Sequence, residues 1–251
     1  MIKWIGFIFR VVPYVLFKYP ELLYNYFNRS SLSYVRRYKF VQDVIKHVME
    51  GLHVDFHVNG LEKLKATRSY ILTPNHQSFL DALSFISVLD DPSTFVAKIE
   101  SQKYPIVGKC IDILDGLYLD RSNLRQEIKV MQELRKSLNN DNKKWILFPE
   151  GTRTTDPEFK MGEFKAGSFK APMTAKVDIY PVAMWGSFRV LPTSEKGRKR
   201  YPIQISILDP ITYEDYKDMS TSDLSKLVQS KVQEELDKLR ENDLVLIGED
   251  K

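Results

Sequence analysis

Hydrophobic positions follow two different patterns along the chain. From residue 54 onward, short β-branched and aromatic runs alternate with stretches whose apolar residues recur at helical spacing. The runs predict strands at Val54–Val58, Tyr70–Thr73, Thr94–Ala97, Leu117–Leu119, Trp145–Phe148, Ile179–Met184 and Ile203–Leu208. Helices are expected at roughly 79–89, 104–113, 123–139, 164–176 and 222–241. Ser122 is placed to cap the third of these, and Asn139-Asn140 to end it. The last, from Asp223 to Glu241, carries charge on most of its faces and reads as solvated. Such alternation predicts an α/β fold, a mixed and largely parallel sheet covered by helices on both faces.

The first 40 residues are different. At about 100° per residue, Lys3, Arg10, Lys18, Glu21 and Arg29 share one sector, while Trp4, Ile5, Ile8, Val12, Val15, Leu16, Leu22, Leu23 and Phe27 fill much of the rest. Pro13 and Pro20 are expected to bend or break this helix, with Pro20 opening a second one. Spanning a bilayer takes roughly 20 mostly apolar residues, and Arg10, Lys18 and Glu21 cut the segment too short for that. Arg10 also interrupts any secretory-signal core, and no small-residue cleavage site follows. The segment holds 12 of the 30 aromatic residues and a net charge of +6, whereas the whole chain sums to +4. A wide apolar face with a basic stripe predicts an amphipathic helical element lying in a membrane surface. The alternative is a helical hairpin packed on its own domain. The one plausible boundary falls near residues 45–55, which gives a membrane-association element over 1–50 and a body over 51–251.

Composition adds exclusions. With 43% hydrophobic and 28% charged residues the chain is globular. Its single cysteine, Cys110, excludes an intramolecular disulfide framework and a cysteine-rich zinc site. The basic excess belongs to one segment, so it does not indicate nucleic-acid binding. GxGxxG, GxSxG and HExxH are absent, and the glycines of Gly162–Gly167 are followed by Ser168-Phe169 instead of the Lys-Ser/Thr of a phosphate loop. Asn28-Arg29-Ser30 would accept a glycan only in a secreted chain.

Two positive signals stand at predicted strand ends. Asn75-His76-Gln77-Ser78-Phe79-Leu80-Asp81 follows the strand-like Tyr-Ile-Leu-Thr-Pro. Positions five apart do not share a helix face, but His76 and Asp81 meet if His76 sits in the turn before a helix and Asp81 in its first turns. Pro74 favours that arrangement by biasing Thr73 towards extended backbone. The carboxylate then fixes the imidazole tautomer and leaves the other ring nitrogen as a base. A structural turn would show the same spacing. The second signal is Pro149-Glu150-Gly151-Thr152-Arg153 after the buried run Trp145–Phe148. A glycine turn offers backbone N–H groups and Arg153 a planar fork suited to phosphate. Lys98 and Asp120-Arg121 also follow predicted strands, and cations converging on one rim imply an anionic substrate group.

His-x4-Asp, Gly116-Leu-Tyr-Leu-Asp-Arg121, Phe-Pro-Glu-Gly-Thr-Arg and Tyr180-Pro181-Val182-Ala183 stand in the order and spacing of the glycerolipid acyltransferase family. Over about residues 55–210 the chain resembles the 1-acyl-sn-glycerol-3-phosphate acyltransferase branch, the bacterial phosphatidic-acid-forming type. Residues 98–108 and Phe164-Lys165-Ala166-Gly167 also look like that family. The resemblance implies transfer of an acyl group from a thioester, acyl-CoA or acyl carrier protein, to the sn-2 hydroxyl of lysophosphatidic acid, giving phosphatidic acid. It assigns His76 as base and Asp81 as its orienting partner, with Arg153, Gly151, Thr152, Arg121 and Lys98 holding the phosphate. Glu150 joins the acceptor site by resemblance; a carboxylate cannot bind phosphate directly, so its expected work is holding Arg153 or the turn. A thiolate leaves easily, so neither Ser78 nor Cys110 is needed as a nucleophile. Cys110 is expected in the core, and His47, His53 and His57 as structural residues. No metal or organic cofactor is implied. The expected place is the cytoplasmic face of the cell membrane, peripheral or monotopic, on an anionic lipid surface. Another lysolipid or an alcohol without phosphate as acceptor, or a non-catalytic lipid-binding role at the membrane surface, remain as rivals.

Overall fold

The computed structural model describes residues 2–64, 68–140, 142–190 and 200–248, with side chains from residue 9 onward. The readings of Lys3, Trp4, Ile5 and Ile8 as side chains on either face therefore lie outside the described residues.

Among the described residues the strands are β1 (Val54–Asn59), β2 (Tyr70–Pro74), β3 (Ser93–Lys98), β4 (Leu117–Leu119), β5 (Lys144–Ile146), β6 (Asp178–Trp185) and β7 (Tyr201–Ile207). They form one sheet in the order β1-β7-β6-β2-β5-β3-β4. β2 to β6 run parallel, β6 and β7 pair antiparallel, and β1 pairs parallel to β7. The fold is thus mixed, mostly parallel α/β. Alternate side chains of the central strands feed two cores, as a pleated strand buried on both faces requires. Tyr70, Leu72, Ile146, Tyr180 and Val182 join one cluster, and Ile71, Trp145, Ile179 and Ala183 the other.

Helices α1 (Ile2–Phe27), α2 (Tyr34–Gly51), α3 (Asp81–Val88) and α4 (Pro105–Ile113) contribute to the first cluster. Helices α5 (Leu124–Asn140), α6 (Lys170–Ala175), α7 (Tyr213–Tyr216) and α8 (Thr221–Gly248) contribute to the second.

Three local expectations are corrected. First, α1 is one continuous helix through Pro13 and Pro20, and the second helix of the hairpin begins at Tyr34, capped by Ser33. Each proline removes one helical hydrogen bond, but packing of α1 along α2 and α4 keeps the segments in line. Second, the cap of α5 is Asn123, whose Oδ1 accepts from the Gln126 N–H at 3.2 Å, while the Ser122 hydroxyl donates to Asp120. Third, α8 is not solvated all round. Leu224, Val228, Val232, Leu236 and Leu239 form a buried stripe against the sheet, and the Arg189–Asp243 ion pair, with side chains 2% and 6% exposed, closes its C-terminal half. The charges flank that stripe without interrupting its spacing.

The hairpin lies along one face of the sheet: at one end the Tyr34 hydroxyl donates to the carbonyls of Ser93, where β3 starts, and Leu114, just before β4, both at 3.1 Å. Tyr14 stacks on His47 with ring centroids 3.8 Å apart, and Arg10 reaches Glu50 at 3.5 Å. Because β1 starts beside the start of β7, which lies opposite the end of β6, the last turn of α2 and the early turns of α1 stand at the rim formed by the carboxyl ends of the parallel strands. α2 buries Tyr38, Val41 and Met49 in the same cluster as β2 and β6.

Candidate active site

β2, β3, β4, β5 and β6 end at one rim, where open α/β sheets place their ligands. His76 follows β2, Lys98 ends β3, Arg121 follows β4 and the Gly151–Arg153 turn follows β5.

Asp81 opens α3, and His76 sits in the loop before it. His76 Nδ1 lies 2.7 Å from Asp81 Oδ2. The same oxygen accepts from the Gln77 N–H at 2.7 Å and the Ser78 N–H at 2.9 Å, and Oδ1 accepts from the Ser187 hydroxyl. A fully buried carboxylate ringed by donors acts as an acceptor, so Nδ1 carries the proton and Nε2 is left as the basic nitrogen. The imidazole stacks on Phe148 with centroids 4.2 Å apart and keeps 16% of its side chain exposed, which is the opening a substrate needs.

The arginine turn is built onto this loop. The Thr154 N–H donates to the His76 carbonyl at 2.9 Å. Glu150 ties the two from below: Oε1 accepts from the His76 N–H at 2.6 Å and Oε2 from the Gly162 N–H at 2.8 Å. Glu150 thus holds the turn. Burial pushes its pKa up to about 7, against the opposing pull of the two backbone N–H groups. Gly151 takes φ +71°, and a Cβ there would stand 3.0 Å from Lys165 Nζ. Lys165 therefore lies across the turn, with its own N–H bonded to the Pro149 carbonyl.

Thr152, Arg153 and Arg121 are exposed on the rim. Desolvation by its surroundings lowers the Arg121 pKa from its ordinary value, and the like charge of Arg153 lowers it further, against Glu100 and Glu127. The two guanidinium groups therefore feel each other. Lys98 also ends at the rim, but its Nζ pairs with Glu100 at 2.9 Å, so reaching a ligand would mean exchanging that partner.

Sequence reasoning did not single out Ser187, Asn75 or Gln77. Asn75 bonds both backbone groups of Met184, at 3.0 and 2.8 Å, and Gln77 Oε1 accepts from the Gly186 N–H at 3.2 Å. Their partners lie more than a hundred residues away, so no local pattern marks them.

The site thus joins a buried carboxylate–imidazole pair to a cationic turn at the rim of a mixed α/β sheet. The chain belongs to the Acyltransferase family, whose model matches residues 55–185. Among its relatives are 1-acyl-sn-glycerol-3-phosphate acyltransferases of Chlamydomonas reinhardtii (31% identical; 55% of this chain, 40% of the relative) and Saccharomyces cerevisiae (30%; 67% and 55%). The 1-acyl-sn-glycerol-3-phosphate acyltransferase alpha of Mus musculus is 28% identical, over 72% of this chain and 63% of the relative. The matches thus span 40–63% of the length of these curated relatives. The crystal structure of PlsC, the 1-acyl-sn-glycerophosphate (LPA) acyltransferase of Thermotoga maritima, superposes with a TM-score of 0.75 at 25% identity, covering 95% of both chains.

Proposed function

We propose that this protein is a 1-acylglycerol-3-phosphate O-acyltransferase, moving a fatty acyl group from acyl-CoA or acyl carrier protein to the sn-2 hydroxyl of lysophosphatidic acid. His76 Nε2 takes the hydroxyl proton as the oxygen attacks the thioester carbonyl. The C–O bond forms, the C–S bond breaks, and the proton passes to the departing thiolate. Asp81 orients the ring and stabilises the imidazolium. A general base of this kind contributes about 10²–10⁴-fold. Arg153 with the Gly151-Thr152 turn, assisted by Arg121 and Lys165, binds the phosphate and sets the hydroxyl beside His76.

The observation that carries this reading is the bond from the Thr154 N–H to the His76 carbonyl. It fastens the phosphate-type turn to the loop of the base, so that one acceptor molecule can touch both. The names of the relatives supply the substrate class.

The site of action in this reading is an anionic bilayer surface at the cytoplasmic face of the cell membrane. Among the described residues no helix is long and apolar enough to cross a membrane. Phe9, Val12, Leu16, Phe17, Tyr24 and Phe27 of α1 are exposed and fall on one helical face, which supports a peripheral or monotopic contact. The test is acceptor profiling with the purified protein: lysophosphatidate should consume thioester, and the matching monoacylglycerol without phosphate should not. Equal use of both would reject the phosphate site.

A further inference from the structure

The reacting pair is fastened to the end of β6 by groups that no substrate would touch. Asn75 clamps Met184, Gln77 accepts from Gly186, and Ser187 donates its hydroxyl to Asp81 Oδ1. Ser187, like Asp81, is fully buried. Gly186 makes this approach possible. It takes φ +103°, and a Cβ there would lie 2.4 Å from the Pro202 carbonyl oxygen, so the chain turns sharply and aims residue 187 back at the carboxylate.

We infer that Ser187 is a positioning residue for the His76–Asp81 pair, acting through Asp81. The two carboxylate oxygens are not equivalent. Oδ2 takes all its bonds from the His76 loop itself: His76 Nδ1 and the N–H groups of Gln77 and Ser78. Oδ1 is held by Ser187, in the turn that follows β6, 106 residues on. One oxygen anchored locally leaves the carboxylate plane free to turn about its last torsion, whose wells are broad. A second anchor, from the sheet, fixes the plane and with it the lone pair that faces Nδ1. Without the hydroxyl, Oδ1 is also a buried oxygen lacking a donor.

For its kinetic consequence the inference rests on the acyl-transfer reading; for its structural consequence it does not. Ser187→Ala should lower kcat by about tenfold or more through misorientation of the base, while KM for lysophosphatidate stays within about twofold. Ser187→Cys, near in size and a weak donor, should recover part of the loss. In an Asp81→Asn background the Ser187→Ala change should add almost nothing, because the two act as one unit. The proton on His76 Nδ1, identified in wild-type NMR spectra by its loss in His76→Ala, should move or broaden in Ser187→Ala and return towards its place in Ser187→Cys. Wild-type kcat in Ser187→Ala, an equal loss in the Asp81→Asn background, or an unmoved Nδ1 proton would each overturn the inference. A wild-type protein that transfers no acyl group would overturn the acyl-transfer reading alone, and the NMR comparison would then decide on Ser187.

Discussion

Asp81 Oδ2 sits 2.7 Å from His76 Nδ1 although the residues are five apart in sequence, because His76 lies in the loop and Asp81 begins the helix. Asp81→Asn replaces an acceptor ringed by donors with an amide. It should lower kcat well before it weakens acceptor binding, since it disturbs tautomer and orientation. Steady-state kinetics on both substrates check this; a change confined to KM would speak against it.

Arg153 is exposed and free of a carboxylate partner among the ion pairs of the described residues, as a phosphate ligand should be. Arg153→Ala should raise KM for lysophosphatidate severely, and Arg153→Lys should restore little, since a point charge does not reproduce the fork. Thioester hydrolysis without acceptor should change far less. Equal damage to donor and acceptor kinetics would make Arg153 a structural residue.

Glu150 gives the fold a pH dependence. Its pKa is raised from an ordinary carboxyl value near 4.5 to about 7 by burial, so the native state holds a proton that the unfolded chain releases earlier. The stabilisation is full below about 4.5 and is lost as pH rises through about 7. Glu150→Gln removes this titration. Thermal midpoints recorded from pH 4.5 to 8 should therefore fall relative to the variant as pH rises, and a constant difference would contradict the assignment.

The buried Arg189–Asp243 pair is a stability element away from the chemistry. Asp243→Ala leaves a guanidinium without its partner and should cost about 3–5 kcal/mol in denaturant unfolding. A loss under 1 kcal/mol would mean that water reaches the pair.

The exposed face of α1 is expected to hold the protein on anionic vesicles through roughly 25 cal/mol per Å² of buried apolar area and about 1 kcal/mol per nearby Lys or Arg. Replacing Phe9, Phe17 and Phe27 together by serine should release the protein, and high salt should weaken wild-type binding only in part. Activity on a short-chain, water-soluble acceptor should survive. Unchanged vesicle binding by the triple variant would move the membrane contact elsewhere. Substitution is preferable to deleting residues 1–40, because Tyr38 and Phe40 belong to the main core.

The strands were legible because short apolar runs bounded by turn residues mark buried parallel strands, and Leu117–Leu119 was predicted to the residue. His76 and Asp81 were legible because both lie in one short segment whose Pro74 shapes the turn. Ser187 was not, since its partner lies 106 residues away and the link is made by the sheet. The buried stripe of α8 was hidden by the charges flanking it, although the spacing of Leu224, Val228, Val232 and Leu236 was in view. Likewise the continuity of α1 depends on α2 and α4, which a local reading of Pro13 and Pro20 cannot include.

The most direct test gives purified wild-type and His76→Ala protein one lysophosphatidate with acyl-CoA, and in parallel with acyl carrier protein, and follows product by mass spectrometry. Wild-type protein should form phosphatidic acid carrying the donor's chain at sn-2, and His76→Ala, still folded and still vesicle-bound, should form it at least about 10²-fold more slowly. Absence of phosphatidic acid from wild-type protein with either donor, or near-normal turnover by His76→Ala, would contradict the account.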